Sequence, residues 1–193
     1  MRAFYNFAVA LVRPICAVLY PCRRNICAAM PEGAAIVCAN HSNYIDPVLI
    51  AIAAGKKHWL HFMAKVELSR SKLLDVIMRG LGAFYVNRNS NDLSAIRTAM
   101  GLLKHGEKVG IFPEGTRVSE DDAVTAKNGA VRLAMRLGVP VVPVFISRNK
   151  KLFRKVDLVI GEAYYIDKDS DNDEATRVLM EKIHALDPRR GNS

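Results

Sequence analysis

AAIVCANHSNYIDPVLIAIAAG, residues 34–55, decides the fold, because its local character changes twice along its length. Residues 34–39 form an unbroken apolar run, short enough and β-branched enough for a strand buried on both faces. A polar stretch follows from Asn40 to Ile45. Asp46 and Pro47 then read as N-cap and first residue of a helix, since aspartate accepts from free backbone N–H groups and proline needs no N–H partner there. That helix runs over 47–54 and stops at Gly55. A buried strand leading through a polar loop into a helix is the building unit of an α/β domain.

The same alternation continues outward. Strands are predicted at 59–64, 83–86, 109–112, 139–146 and 156–160. Leu93, Ile96, Met100 and Leu103 recur at helical spacing within 92–105, and Gly106 follows Lys104 and His105 as a stop. Further helices are predicted at 129–137, closed by Gly138, and at 174–186, with acidic residues at its start. The run 139–146 carries Pro140 and Pro143, which place it at a sheet edge or beside a bulge. Residues 31–193 therefore read as one α/β domain.

Residues 1–30 have another character. They hold Arg2, Arg13, Arg23 and Arg24 and no acidic residue. Two apolar stretches, 3–12 and 15–20, flank Arg13-Pro14, and neither reaches the ~20 residues that a spanning helix needs. They read as a pair of short apolar helices joined at Arg13-Pro14 and lying in the interface of an anionic leaflet. A signal peptide, a transit peptide and a core helix pair are the alternatives. Cys16, Cys22, Cys27 and Cys38 form no CxxC and read as reduced thiols. The net charge of +9 calls for an anionic partner, whether nucleic acid, acidic membrane or phosphorylated substrate.

Two segments carry chemistry, and both follow strands. In the first, His41 is suited to take a proton near neutral pH, and a carboxylate on its other nitrogen would fix its tautomer. In one helix, His41 and Asp46 would stand about 140° apart. A turn over 41–45 instead brings Asp46 back against His41. The plainer alternative makes Asp46 only a cap. In the second segment, Gly110-Ile111-Phe112-Pro113-Glu114-Gly115-Thr116-Arg117, Gly115 permits close approach of a ligand. Arg117 offers a fork for phosphate oxygens, or is simply an exposed turn residue. The cluster Arg148, Lys150, Lys151, Arg154 and Lys155, enclosing Leu152 and Phe153, reads as a membrane-facing surface or a solvated basic loop.

Together these segments resemble the glycerolipid acyltransferase family, which includes the PlsC and 1-acylglycerol-3-phosphate acyltransferases. Asn40, His41 and Asp46 match its N-H-x4-D motif, and 112–117 match F-P-E-G-T-R in full. The stretch 82–88, ending in Arg88, matches the looser second motif, and 139–144 the apolar fourth. Lys65 precedes a Glu-Leu pair between the first two motifs. The resemblance implies a glycerolipid-acyltransferase-like mixed sheet flanked by helices. It implies that His41, held by Asp46, activates the free hydroxyl of lysophosphatidate for attack on the thioester of acyl-CoA or acyl carrier protein, giving phosphatidate. It further implies that Lys65, Arg88, Glu114, Gly115, Thr116 and Arg117 bind the glycerol phosphate. Another lysophospholipid or glycerol 3-phosphate is the alternative acceptor. The expected place is the cytoplasmic side of the cell membrane, peripheral or monotopic.

Other chemistries fit less well. A Ser42 hydrolase lacks the G-x-S-x-G elbow. A metal site from His41, Asp46, His58 and His61 matches no common ligand spacing, so no metal or bound cofactor is expected. A non-enzymatic binder of anionic surfaces remains a remote alternative. Nucleic acid is not an expected partner, because most aromatics lie in apolar runs and are not interleaved with Lys and Arg.

Overall fold

The computed structural model of the protein describes residues 2–66, 70, 72–86, 93–117 and 126–190. In chain order the elements are α1 (Arg2–Leu19), β1 (Cys22–Ile26), β2 (Ala35–Ala39), α2 (Asp46–Ala54), β3 (Leu60–Lys65), α3 (Lys72–Gly80), β4 (Phe84–Val86), α4 (Leu93–Lys104), β5 (Lys108–Ile111), α5 (Gly129–Leu137), β6 (Val141–Ile146), β7 (Val156–Ile160) and α6 (Asn172–Ala185). The strands form one mixed sheet in the order β1-β7-β6-β2-β5-β3-β4. Neighbours pair in parallel except β6 and β7, which are antiparallel.

β2 lies inside the sheet and is buried at every residue. Its alternate residues feed two cores. Ala35, Val37 and Ala39 join Leu49, Ile50 and the inward residues of β6 and β7 on one face. Ile36 and Cys38 join Ala99, Leu103, Val131, Leu179 and Ile183 on the other, beneath α4, α5 and α6. A strand covered on both faces has no polar side, hence the unbroken apolar run. α2 is apolar nearly all round because α1 covers much of what the sheet leaves open.

The N-terminus differs from the expected helix pair. α1 is one helix that passes through Pro14 and joins the two apolar stretches, and a strand, Cys22–Ile26, follows it. Proline removes one helical hydrogen bond at a cost of about 3 kcal/mol. Packing on both sides of the proline offsets this, since Val12 and Cys16 enter the same core. β1 is an edge strand, where Arg23 stands opposite Asp157 and pairs with it at 2.7 Å. Such charges discourage pairing with another chain. Among the described residues no helix is long and apolar enough to cross a membrane.

β6 differs from half of its expectation. It lies between β7 and β2, not at an edge. The bulge is present. The Gly161 N–H donates to the Pro143 carbonyl at 2.9 Å, while Val141 exchanges hydrogen bonds with Tyr164. Two steps along β6 thus face three on its partner. The N–H that Pro143 lacks falls at the end of the β7 ladder, which stops at Val144 and Ile160.

Candidate active site

The site begins where β2 ends. The Asn40 carboxamide donates to the Ile146 carbonyl at 2.7 Å and accepts from the Ile146 N–H at 2.9 Å. The end of β2 is thereby clamped to the end of β6, and the chain leaves the sheet at a fixed point. The next five residues turn back on themselves. Asn43 Oδ1 accepts from the Ile45 N–H, and the Asn43 carbonyl accepts from the Asp46 N–H. Asp46 is the first residue of α2, and Ile45 takes the N-cap position, one residue earlier than expected. Pro47 then stands second, where its missing N–H is still without consequence.

This offset lets the Asp46 carboxylate face backward into the loop. Its Oδ2 accepts from the Ser42 and Asn43 N–H groups at 2.8 Å each and lies 3.0 Å from His41 Nδ1. Asp46 is fully buried and His41 nearly so. Burial works to raise the Asp46 pKa. The bond from His41, the Lys150 ammonium and the loop N–H outweigh it and hold the carboxyl below its ordinary range. An ionised carboxylate only accepts, so the shared proton sits on Nδ1 and Nε2 carries the free lone pair.

Phe112, one residue past β5, stacks on the His41 ring at 4.0 Å between centroids and 18° between planes. Phe62 of β3 stacks behind Phe112 at 5.6 Å. Gly110 closes the row, because a Cβ there would stand 2.2 Å from the Phe62 ring. Gly110→Ala is therefore expected to force Phe62 and Phe112 toward the imidazole. It should cost about 1–3 kcal/mol of stability by overpacking and lower kcat with it. Equilibrium unfolding with a parallel rate measurement checks both.

Glu114 ties the two motifs together. It is 3% exposed. Its Oε2 accepts from the His41 N–H at 2.8 Å, and its Oε1 pairs with the Arg148 guanidinium at 2.6 Å. Burial raises its pKa, against the opposing pull of the His41 N–H and Arg148. Both carboxylate oxygens are thus engaged by the protein itself. Gly115, at φ +67, closes the turn by donating to the Phe112 carbonyl at 3.0 Å. Thr116 and Arg117 are exposed. The Arg117 guanidinium lies 3.6 Å over the ring of Tyr44, which belongs to the His41–Asp46 loop.

The structure brings His41, Asp46, Glu114, Gly115, Thr116 and Arg117 to one side of the sheet's end. Lys65 ends β3, paired with Val86 of β4. Arg88 lies outside the described residues. His61 bonds the Gly82 carbonyl at 2.9 Å and lies against Trp59 with the rings tilted by 40°. Among the described residues no three of His, Cys, Asp and Glu are grouped to hold a metal ion.

Two site residues escaped the sequence reading. Arg148 meets Glu114, and Lys150 meets Asp46 at 2.8 Å with its side chain fully buried. Nothing in a loop of five basic residues marks which ones turn inward. Beside Phe112 opens a cavity of about 1070 Å³. Met63, Ile96, Met100 and Leu133 give it an apolar lining, and Lys127 and Arg132 are also on its wall.

Residues 23–147 match the sequence model of the family described as Acyltransferase. The chain belongs to the acyltransferase family. The matched span includes both motifs, from His41 to Arg117, and the strands that carry them. Among acyltransferases, the 1-acyl-sn-glycerol-3-phosphate acyltransferase of Bacillus subtilis is 39% identical over 132 residues, which is 66% of this chain and 65% of that protein. The enzyme of that name from Streptococcus pneumoniae is 32% identical over 155 residues, 77% of this chain and 57% of its own length. The chain thus matches under two thirds of each of these curated relatives. The crystal structure of the Thermotoga maritima 1-acyl-sn-glycerophosphate acyltransferase, PlsC, superposes with a TM-score of 0.71 at 24% identity, covering 98% of this chain and 78% of that one. At that identity the likeness shows the fold: a mixed α/β sheet flanked by helices.

Proposed function

We propose that this protein is a 1-acyl-sn-glycerol-3-phosphate acyltransferase, making phosphatidate from lysophosphatidate and an acyl thioester of CoA or acyl carrier protein. The observation that carries the reading is the 3.0 Å contact between His41 Nδ1 and the buried Asp46 carboxylate. His41 Nε2 takes the proton from the acceptor hydroxyl as its oxygen attacks the thioester carbonyl. The tetrahedral intermediate collapses, the C–S bond breaks, and the imidazolium returns the proton to the leaving thiolate. Asp46 stabilises that imidazolium. No covalent acyl-enzyme forms.

Arg117 supports a phosphorylated acceptor, since its guanidinium is exposed beside the His41 loop. Lys65 and Arg88 are assigned to the same phosphate through the motifs that contain them. The apolar cavity beside Phe112 suits an acyl chain. Arg117→Ala is expected to raise the KM for lysophosphatidate about tenfold, with a smaller change in kcat, by loss of a charge-assisted contact. Steady-state rates at varied acceptor check this.

Both acceptor and product are lipids. Phe4, Phe7, Leu11, Ile15 and Val18 are exposed along α1. The exposed Leu152 and Phe153 lie at the end of that helix, where the Phe153 N–H donates to the Leu19 carbonyl at 2.7 Å. Lys151, Arg154 and Lys155 flank them and are exposed. An apolar stripe with a basic border fits peripheral or monotopic attachment to an anionic leaflet, on the cytoplasmic side where acyl thioesters are available. Purified protein, given lysophosphatidate with acyl-CoA and, separately, with acyl carrier protein, is expected to release phosphatidate with at least one donor. No product with either refutes the function.

A further inference from the structure

Asp46 has two oxygens, and proton transfer accounts for one. Oδ2 serves His41 and the loop N–H groups. Oδ1 faces the Lys150 ammonium at 2.8 Å, and both side chains are fully buried. Lys150 also donates to Ser42 Oγ at 2.8 Å and to the Ser147 carbonyl. Ser42 Oγ in turn donates to the Arg148 carbonyl at 2.9 Å. The loop after β6 thus rests on the His41–Asp46 loop through one ammonium, which donates to Ser42 Oγ and the Ser147 carbonyl and forms an ion pair with Asp46 Oδ1.

On the reading of the previous subsection, we propose that Lys150 is a positioning residue of the His41–Asp46 pair, lowering the pair's affinity for an extra proton so that the imidazole is free to act as base.

A general base must be unprotonated at its working pH. A buried carboxylate touching an imidazole pulls the other way, since a negative neighbour favours the imidazolium. A cation on the far oxygen counters that pull and leaves the Nδ1 bond in place. Asp46 keeps its role in orientation and gives up part of its field. Other charges near the pair are committed elsewhere. Glu114, from the turn after β5, accepts from the His41 N–H and is paired with Arg148. Arg117 stacks on Tyr44 at the loop's exposed side. Lys150 is the described cation in contact with the Asp46 carboxylate. Burial pushes the Lys150 ammonium below the usual lysine range while Asp46 opposes the shift. A role in the scaffold alone is a poor account, because burying two ions costs desolvation that an apolar pair of similar volume avoids.

The test uses the full chain with Lys150→Met and Lys150→Gln, the second keeping donors for Ser42 and Ser147 while removing the charge. The readout is the acidic limb of the pH profile of kcat/KM for lysophosphatidate. Loss of the cation is expected to move that limb upward by about one pH unit in both variants. The acceptor KM at the plateau should stay near that of the unmodified protein, because the Lys150 side chain is fully buried against Asp46. Where turnover is too slow, the His41 ring resonances report proton uptake by the pair, with the same direction expected. An unmoved limb or titration in folded protein overturns the proposal, as does failure of both variants to fold, which would assign Lys150 to the scaffold. His41→Ala run alongside separates the two claims. Turnover without the imidazole removes the proposed function itself, whereas a dead His41→Ala beside an unmoved limb removes only the role of Lys150.

Discussion

His41→Ala is expected to lower kcat by about 10³-fold while leaving the fold and the acceptor KM nearly unchanged. With Nδ1 committed to Asp46, Nε2 of the imidazole keeps the lone pair that takes the proton. The His41 N–H to Glu114, which holds the loop, belongs to the backbone and survives the substitution. The ring does fill space against Phe112. Its loss from a site at the edge of the core is expected to cost about 1 kcal/mol, too little to unfold a domain of this size. Rates of phosphatidate formation at saturating substrates, with circular dichroism of both proteins, check the prediction. Residual turnover within tenfold of the unmodified protein would remove His41 from the chemistry.

The second large effect is expected at Glu114. Alanine there deprives the His41 N–H of its acceptor and the Arg148 guanidinium of its carboxylate. Removing one partner of a buried ion pair costs about 3 kcal/mol or more. The catalytic loop loses the contact that joins its first residue to the Phe112–Arg117 motif, so kcat should fall by at least about tenfold. Glu114→Gln keeps an acceptor for the N–H and lacks the charge for Arg148, and an intermediate loss is expected. Urea unfolding and steady-state kinetics distinguish this from contact with substrate. A positioning role leaves the lysophosphatidate KM near its original value, whereas loss of a direct contact raises it.

The centre of the fold was legible because local and global requirements agree there. The 34–39 run has no polar side since β2 is covered on both faces. Gly55 follows α2 at φ +86, where a side chain would be strained. The turn over 41–45 brings the Asp46 carboxylate back against His41 as the sequence implies, although the helix starts one residue early. Features fixed by distant partners were not legible. Pro14 reads as a break, yet core contacts on both sides carry α1 through it. Pro143 reads as an edge marker, yet its missing donor falls where the β7 ladder has ended. β1 is short, charged and exposed, and only its pairing with β7 makes it a strand. α3 carries an Asp75–Arg79 pair at helical spacing, which is a local signal for that helix. Arg148 and Lys150 share their loop with three other basic residues, and their inward turn depends on carboxylates 34 and 104 residues away in sequence.

The most direct test of the central claim is a double-mutant cycle on phosphatidate formation, comparing Asp46→Asn, His41→Ala and the two combined. If the carboxylate acts only through the imidazole, the double variant is expected to be no slower than His41→Ala alone. Losses that multiply would mean that the two groups act separately, and would contradict the pair as the unit of proton transfer.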